Sequence, residues 1–119
     1  MIAVGRRFQP QNEEDRGRLL KREPGAMACG FIDGSEIEFV VVVTLAGEFL
    51  AFDSACPHLF ANLYDDGRST GKAIVCGSHG WEFSLETGAV ISFPGKTLPK
   101  KKLDLIRIVE IDGKFEVEE

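Results

Sequence analysis

The chain has 119 residues, of which 44% are hydrophobic and 28% charged, a composition that fits one folded domain and excludes a disordered protein. Its net charge of −5 disfavours nucleic acid as a partner, because phosphate contacts need clustered Lys and Arg. The longest apolar run, 39–43, is too short to span a membrane, and the first residues lack a signal-peptide pattern. Three cysteines form no disulfide framework. We therefore expect a cytoplasmic protein, monomeric and without membrane or nucleic-acid partners.

The first half of the chain predicts short strands separated by turns. Four segments bounded by turn-forming residues are predicted strands: 2–8, 26–32, 37–45 and 48–53. The polar stretch 9–18 is predicted to be a surface loop with one helical turn, and 19–21 to begin a further strand. The Val-rich run 37–45 does not alternate between apolar and polar residues, which predicts a strand buried on both faces.

The second half continues the same pattern. Five further segments are predicted strands: 72–75, 81–85, 89–92, 103–111 and 114–117. Residues 65–71 are predicted to be a loop, and Asp112-Gly113 is the strongest two-residue hairpin signal in the chain. The whole chain is predicted to be all-β, as a sandwich or small barrel of short antiparallel strands.

Two short motifs carry the chemistry of the sequence, Cys56-Pro57-His58 and Cys76-Gly77-Ser78-His79. They hold both histidines of the chain and two of its three cysteines. Thiolates and imidazoles together suit zinc, copper or iron–sulfur centres. Each pair is too close in sequence to complete a four-ligand shell, so two loops must converge. A tetrahedral zinc ion remains open, although zinc fingers place a Cys pair in one half and a His pair in the other; the alternative is a two-iron cluster.

The spacing of these residues resembles the Rieske-type [2Fe–2S] motif. A C-x-H motif is followed by the seventeen residues 59–75, then by C-x-x-H-G-x-x-F, and soon after by Thr87-Gly88. The resemblance implies that Cys56 and Cys76 hold the inner iron and that His58 and His79 hold the outer iron, with one cluster per chain. It also implies a single Rieske-like sandwich domain over 1–119. Two hairpin loops would form a small cluster-binding subdomain at about 54–93 within it.

The sequence predicts an electron carrier and no catalytic residues. A mononuclear iron centre would need two further histidines and a carboxylate, and both histidines are already assigned. There is no glycine-rich dinucleotide fingerprint either. The resemblance implies a soluble ferredoxin that takes single electrons from a flavoprotein reductase and gives them to a terminal oxygenase. Two other classes stay open, the small subunit of an assimilatory nitrite reductase and a zinc-stabilised interaction domain.

Some residues differ from what the resemblance implies. Rieske proteins of respiratory complexes have hydroxyl side chains where this chain has Trp81 and Phe83, and a disulfide where it has Ala61 and Ser78. These differences predict a potential at the low end of the family's range of about −150 to +300 mV.

Further residues differ from the family pattern or suggest contact with a partner. The chain has Phe60 where the family has Gly, and Gly77 where it has Pro. Cys29 is predicted to be a buried apolar residue without a role, and Trp81 and Phe83 to be core residues. Lys96 and the run 100–102 suggest docking to an acidic partner, although a solvated strand edge explains these lysines as well.

Overall fold

The computed structural model describes residues 6–56, 62–77, 80–92 and 102–118. Within these ranges the chain forms one helix, α1 (Glu13–Lys21), and ten strands. The strands are β1 (Arg7–Pro10), β2 (Met27–Ile32), β3 (Glu38–Val43), β4 (Phe49–Asp53), β5 (Gly67–Ser69), β6 (Ala73–Cys76), β7 (Glu82–Ser84), β8 (Val90–Ser92), β9 (Ile106–Ile111) and β10 (Lys114–Val117).

The strands form two antiparallel sheets. Six of them close into a barrel in the order β1-β10-β9-β4-β3-β2, so the barrel has no free edge. The other four form a sheet in the order β5-β6-β7-β8, which in sequence lies between β4 and β9. The predicted all-β fold is confirmed, and of the two predicted architectures the six-stranded sheet adopts the small barrel.

Strands β3 and β4 are shared by two hydrophobic cores. Val41 and Val43 point into the barrel, where they pack with Phe8, Phe49 and Phe115. The alternate residues of β3, Val40 and Val42, belong to a second core that includes residues of the four-stranded sheet. This arrangement confirms that the non-alternating Val-rich run is buried on both faces, and it gives the reason.

The predicted hairpin at Asp112-Gly113 is confirmed. Both residues have a positive φ, 52° for Asp112 and 79° for Gly113, as a type I′ turn requires. The turn joins β9 to β10 with Ile111 paired to Lys114. Its twist matches that of the flanking strands, which favours closure of the barrel at this point.

The prediction of a polar loop over 9–18 and a new strand at 19–21 is wrong, because helix α1 runs through both segments. Asn12 caps the helix, and its side chain accepts a 2.8 Å hydrogen bond from the backbone N–H of Asp15. The first turn is acidic and the last turn is basic, which complements the helix dipole. Leu19 is fully buried in the barrel core and Asp15 is the other buried residue of the helix, so these two side chains dock it on the barrel.

Two other boundaries differ from the sequence predictions. The predicted loop 65–71 contains β5, whose three residues pair with β6 from Gly67–Cys76 to Ser69–Ile74. The first strand is Arg7–Pro10 and not 2–8, of which residues 1–5 lie outside the described ranges. The other predicted strands are confirmed to within a few residues. No helix in the described ranges has the length and apolarity needed to cross a membrane.

Candidate metal centre

Cys56 follows β4 at the start of the first ligand loop. The loop is closed at its base by a bridge between Ala55 and Asn62, and by a 2.7 Å hydrogen bond from the Leu63 N–H to the Ser54 carbonyl. Before the cysteine, the Asp53 side chain accepts a hydrogen bond of 2.8 Å from the backbone N–H of Ala55. The chain therefore leaves β4 and returns beside it, with Cys56 at a fixed position on the outgoing arm.

Cys76 is the last residue of β6 and begins the second ligand loop. Its N–H donates to the Trp81 carbonyl at 2.8 Å, and its own carbonyl accepts from the Gly80 N–H at 2.8 Å. Gly80 has a φ of 70°, a left-handed conformation that suits glycine. These two bonds close a tight loop at the tip of the four-stranded sheet.

The structure brings the two cysteines into the same hydrophobic core. Cys56 and Cys76 are both 0% exposed and pack in the core that contains Leu63, Trp81 and Phe83. None of the three cysteines of the chain is in a disulfide. Two thiols buried in one hydrophobic core, each at the start of a loop, are soft donors of the kind that iron–sulfur clusters use, so their chemistry fits the inner iron of a cluster.

The two predicted histidine ligands, His58 and His79, lie outside the described residues, as do Pro57, Phe60, Ala61 and Ser78. In the part of the chain that the structure does describe, no group of three or more His, Cys, Asp or Glu side chains is placed to hold a metal ion. The assignment of the outer iron to His58 and His79 thus remains a prediction from the motif.

The second loop rests directly on the turn that follows the first loop. The Gly77 N–H donates to the Asp66 carbonyl at 2.8 Å, and a Cβ at position 77 would lie 2.1 Å from that oxygen. This contact explains the departure from the family pattern. Proline at this position could not donate the hydrogen bond, and any side chain would collide with the Asp66 backbone.

Aromatic side chains pack beside the cysteines. Phe83 is 0% exposed and Trp81 is 8% exposed, and the two ring centroids lie 6.2 Å apart with an interplanar angle of 39°. The prediction that both are core residues is confirmed. Both rings belong to the core that contains Cys56 and Cys76, and burial among apolar side chains makes the surroundings of the two sulfurs less polar.

Cys29 lies in β2, away from the two loops in sequence, and is buried as predicted. Burial, together with the neighbouring carboxylate of Glu38, raises the pKa of its thiol to about 12, with burial as the larger cause. A thiol with so high a pKa stays protonated at neutral pH, which makes it a poor nucleophile and a poor metal ligand.

The sequence analysis missed a buried charged network behind the first loop. The Asp15 carboxylate is 1% exposed, and its Oδ1 lies 2.9 Å from Nη2 of Arg18. The Tyr64 hydroxyl donates to the same Oδ1 at 3.0 Å and accepts from Nη1 of Arg18 at 2.9 Å. Acidic residues early in a helix are common, so only the near-complete burial of Asp15 distinguishes it, and burial is not visible in the sequence.

Of the lysines predicted to dock a partner, only Lys102 lies in the described residues. It is exposed and forms an isolated bridge with Ala89, next to the β7–β8 turn. Lys96 and residues 100–101 are outside the described ranges.

Cys56 and Cys76, each at the start of a loop, lie in the core that the six-stranded barrel shares with the small sheet. Residues 19–103 match the model of the Rieske [2Fe-2S] domain, and the chain belongs to that family. Its cofactor is therefore a Rieske-type [2Fe–2S] cluster and not a zinc ion. The fold is that of Rieske ferredoxin-like electron carriers.

The relatives of the chain include desaturases and ferredoxins. A cholesterol 7-desaturase of Hemicentrotus pulcherrimus is 35% identical over 64% of this chain, and the match spans only 17% of the desaturase. The ferredoxin component of an alkene monooxygenase system from Xanthobacter autotrophicus is 34% identical over 44% of this chain and 43% of that protein. A ferredoxin of Sphingomonas yanoikuyae B1 has a similar fold, with a TM-score of 0.66 and 24% identity over 86% of this chain and 93% of its own.

Proposed function

We propose that this protein is a Rieske-type ferredoxin that passes single electrons from a flavoprotein reductase to a terminal oxygenase. In this proposal Cys56 and Cys76 hold the inner iron, and His58 and His79 hold the outer iron. The cluster, when bound, accepts and donates one electron at a time. The proposal includes one domain over 1–119 with a cluster-binding subdomain at about 54–93.

The observation that carries the proposal is the burial of Cys56 and Cys76 in one hydrophobic core, each at the start of a closed loop. Two ferric ions, two sulfides and two thiolates sum to a formal charge of zero when both imidazoles are neutral. A neutral core is easier to reduce than one with four thiolates, which suits an electron acceptor in an apolar setting. Trp81 and Phe83 protect the sulfur side and leave electron exchange to the loop tips.

The proposed partners follow from the chemistry and from the relatives. The chain has two histidines, and both are assigned to the cluster, so a mononuclear iron that activates oxygen must belong to another protein or domain. The similarity to the ferredoxin component of a monooxygenase system supports an oxygenase as electron acceptor. We further propose a cytoplasmic monomer that is not itself an enzyme and docks its partners transiently.

The proposal is tested by electron transfer with purified components. The chain is reconstituted anaerobically with iron and sulfide, and its visible absorption is followed after mixing with NADH and a flavoprotein reductase. We expect the reductase to bleach the visible absorption of the cluster. The absorption should then recover when a Rieske oxygenase and its substrate are added. Copurification with a large reductase subunit from the source cells would instead assign the chain to an assimilatory nitrite reductase.

The desaturase relatives favour a second candidate function. Their match to 64% of this chain at 35% identity is consistent with a Rieske domain that delivers electrons within a larger oxygenase or desaturase. An immunoblot of source cells separates the two candidates. A band at the mass of 119 residues supports the separate ferredoxin, and a band several times larger supports the domain of a longer enzyme.

A further inference from the structure

A short turn, residues 62–66, connects the two ligand loops. At one end, Asn62 forms the bridge to Ala55 that closes the first loop. At the other end, the Asp66 carbonyl accepts the 2.8 Å hydrogen bond from Gly77 in the second loop. The Asp66 N–H donates to the Asn62 carbonyl at 2.9 Å, so the two ends of the turn are bonded to each other. The spacing of the loops therefore depends on where this turn lies.

The turn itself is tightly built. The Asn62 side-chain oxygen accepts hydrogen bonds from the N–H groups of Tyr64, at 2.8 Å, and Asp65, at 3.0 Å. Leu63 is fully buried, and its carbonyl lies so close to Gly67 that a Cβ there would be 2.2 Å away. A turn with these contacts moves as a unit and does not absorb a displacement internally.

Two side chains of the turn are bonded to residues that precede the first loop. Asn62 donates from Nδ2 to the Glu38 carboxylate at 3.1 Å, and Glu38 begins β3 of the barrel. Tyr64 reaches the buried pair of Asp15 and Arg18 on helix α1, donating to the first at 3.0 Å and accepting from the second at 2.9 Å. Arg18 also donates to the Met27 carbonyl at the start of β2, at 2.9 Å.

The anchor at Tyr64 is rigid because the Asp15 carboxylate is fully engaged. Its second oxygen accepts from the Gln11 side chain at 2.9 Å and from the Cys29 N–H at 2.8 Å. A buried carboxylate with four partners cannot shift without losing one of these bonds in an apolar environment, which is unfavourable. The helix thus holds the Tyr64 hydroxyl at a fixed point.

We propose that Tyr64, held by Asp15 and Arg18, is a positioning residue that sets the separation of the two ligand loops and thereby the coordination geometry of the cluster. Helix α1 is bonded through this hydroxyl to the turn that holds the two loops. The inference rests on the proposed ligand set, since it needs a cluster that spans both loops.

The test compares Tyr64→Phe with Gln11→Leu in the reconstituted full chain. The first variant removes the bond from Asp15 to the turn, and the second removes a bond to the same carboxylate that does not involve the turn. The EPR g values of the dithionite-reduced protein, the midpoint potential and the rate of iron loss to a chelator are measured for both. Thermal unfolding reports any general loss of stability.

Tyr64→Phe is expected to shift the g values and the midpoint potential and to speed iron loss about tenfold, which corresponds to about 1.4 kcal/mol. Gln11→Leu is expected to keep the wild-type spectrum even where its unfolding temperature falls equally. Identical spectra for wild type and both variants, or equal shifts in both variants, would overturn the proposal.

A second variant covers the case in which Tyr64→Phe fails to assemble a cluster. Arg18 bonds the Tyr64 hydroxyl and the Met27 carbonyl through Nη1 and pairs with Asp15 through Nη2. Arg18→Lys has one ammonium nitrogen in place of these two, so an amine that pairs with Asp15 leaves the Nη1 position empty, and the same spectral shift is expected from it. A wild-type spectrum from Arg18→Lys would then reject the positioning role. Absence of a Rieske-type signal in the wild-type protein would reject the ligand set instead, so the two failures are distinguishable.

Discussion

The backbone N–H of Gly77 donates a 2.8 Å hydrogen bond to the carbonyl of Asp66, and the same carbonyl leaves no space for a side chain at position 77. The residue directly after a proposed iron ligand is thus packed against the turn that ends the first loop. Glycine is required here by close backbone approach and not by a left-handed backbone conformation.

Gly77→Ala is therefore expected to destabilise the protein. A Cβ placed 2.1 Å from a backbone oxygen must displace one of the two loops, and overpacking of this kind costs about 1–3 kcal/mol. Gly17→Ala in helix α1 is the matched control, because a Cβ there meets nothing within 4 Å and gains roughly 0.5–1 kcal/mol of helix propensity. Urea unfolding of the two variants should change in opposite directions, and a neutral Gly77→Ala would contradict the close contact.

The four proposed ligands are each expected to be essential for the cluster. A single substitution should abolish the visible absorption and the EPR signal of the reduced protein, because the remaining three ligands leave one iron incompletely held. The substitutions are Cys56→Ser, Cys76→Ser, His58→Ala and His79→Ala. Cys29→Ala is the control and should keep a full cluster. Retention of a normal spectrum after loss of any one proposed ligand would remove that residue from the set.

Cys29 is expected to make the protein less stable in alkali. The thiol titrates near its ordinary value of 9.0 in the unfolded chain and at about 12 in the folded chain. Between these values the unfolded state binds fewer protons, so the free energy of unfolding falls as pH rises, by up to about 1.4 kcal/mol per pH unit. Below pH 9 both states keep the proton, and this contribution is constant.

The measurement is the difference in unfolding free energy between wild type and Cys29→Ala across pH 7–11. Groups common to both proteins cancel in this difference. It should be flat up to about pH 8.5 and then fall for wild type relative to the variant. A difference that stays constant to pH 11 would mean that the folded thiol ionises as easily as an exposed one.

Phe83→Tyr is expected to raise the midpoint potential. Phe83 is fully buried in the core that holds both cysteines, so an added hydroxyl must find a partner there, and we expect that partner to be a cysteine sulfur. A hydrogen bond to sulfur stabilises the reduced state, and a gain of roughly 1 kcal/mol corresponds to a rise on the order of 50 mV for one electron. Phe8→Tyr in the barrel core is the control, and an unchanged potential in Phe83→Tyr would place its hydroxyl away from the cluster.

The lysines at 100–102 are expected to speed docking to an acidic partner. Reversal of all three to Glu should slow electron transfer about tenfold at low salt and flatten its salt dependence, since steering by charge is lost. The control reverses three exposed lysines elsewhere, Lys21, Lys72 and Lys114, and so has the same net charge. Equal rates for the two triple variants, measured by stopped flow with a reductase, would show that net charge alone is responsible.

Much of the fold follows from local sequence patterns, because strands bounded by Gly, Pro and Asp turns leave a clear signal. The burial of the Val-rich strand on both faces could be predicted from its lack of alternation, although the sequence does not say what covers each face. Helix α1 was missed since its polar residues resemble a loop. The Asn12 cap, the acidic first turn and the basic last turn are the signals that identify it.

The ligand motifs could be read directly because each is short and rich in metal-binding residues. The contacts that hold the ligand loops in place could not be predicted from the sequence, because Tyr64 and Asp15 are 49 residues apart and neither belongs to a recognisable motif. The same is true of strand β5. Gly67–Ser69 has no strand propensity of its own and is extended because it pairs with β6.

The strands shared by the two cores have a consequence for the rate of electron exchange. β4 leads into Cys56, and its residues are packed on one side by the barrel interior and on the other by the core beneath the ligand loops. Because a strand packed on both faces moves little, a redox centre at its end changes charge with little displacement of the surrounding atoms. Little displacement means a small reorganisation energy, and we expect it to speed both the gain and the loss of the electron at a given driving force.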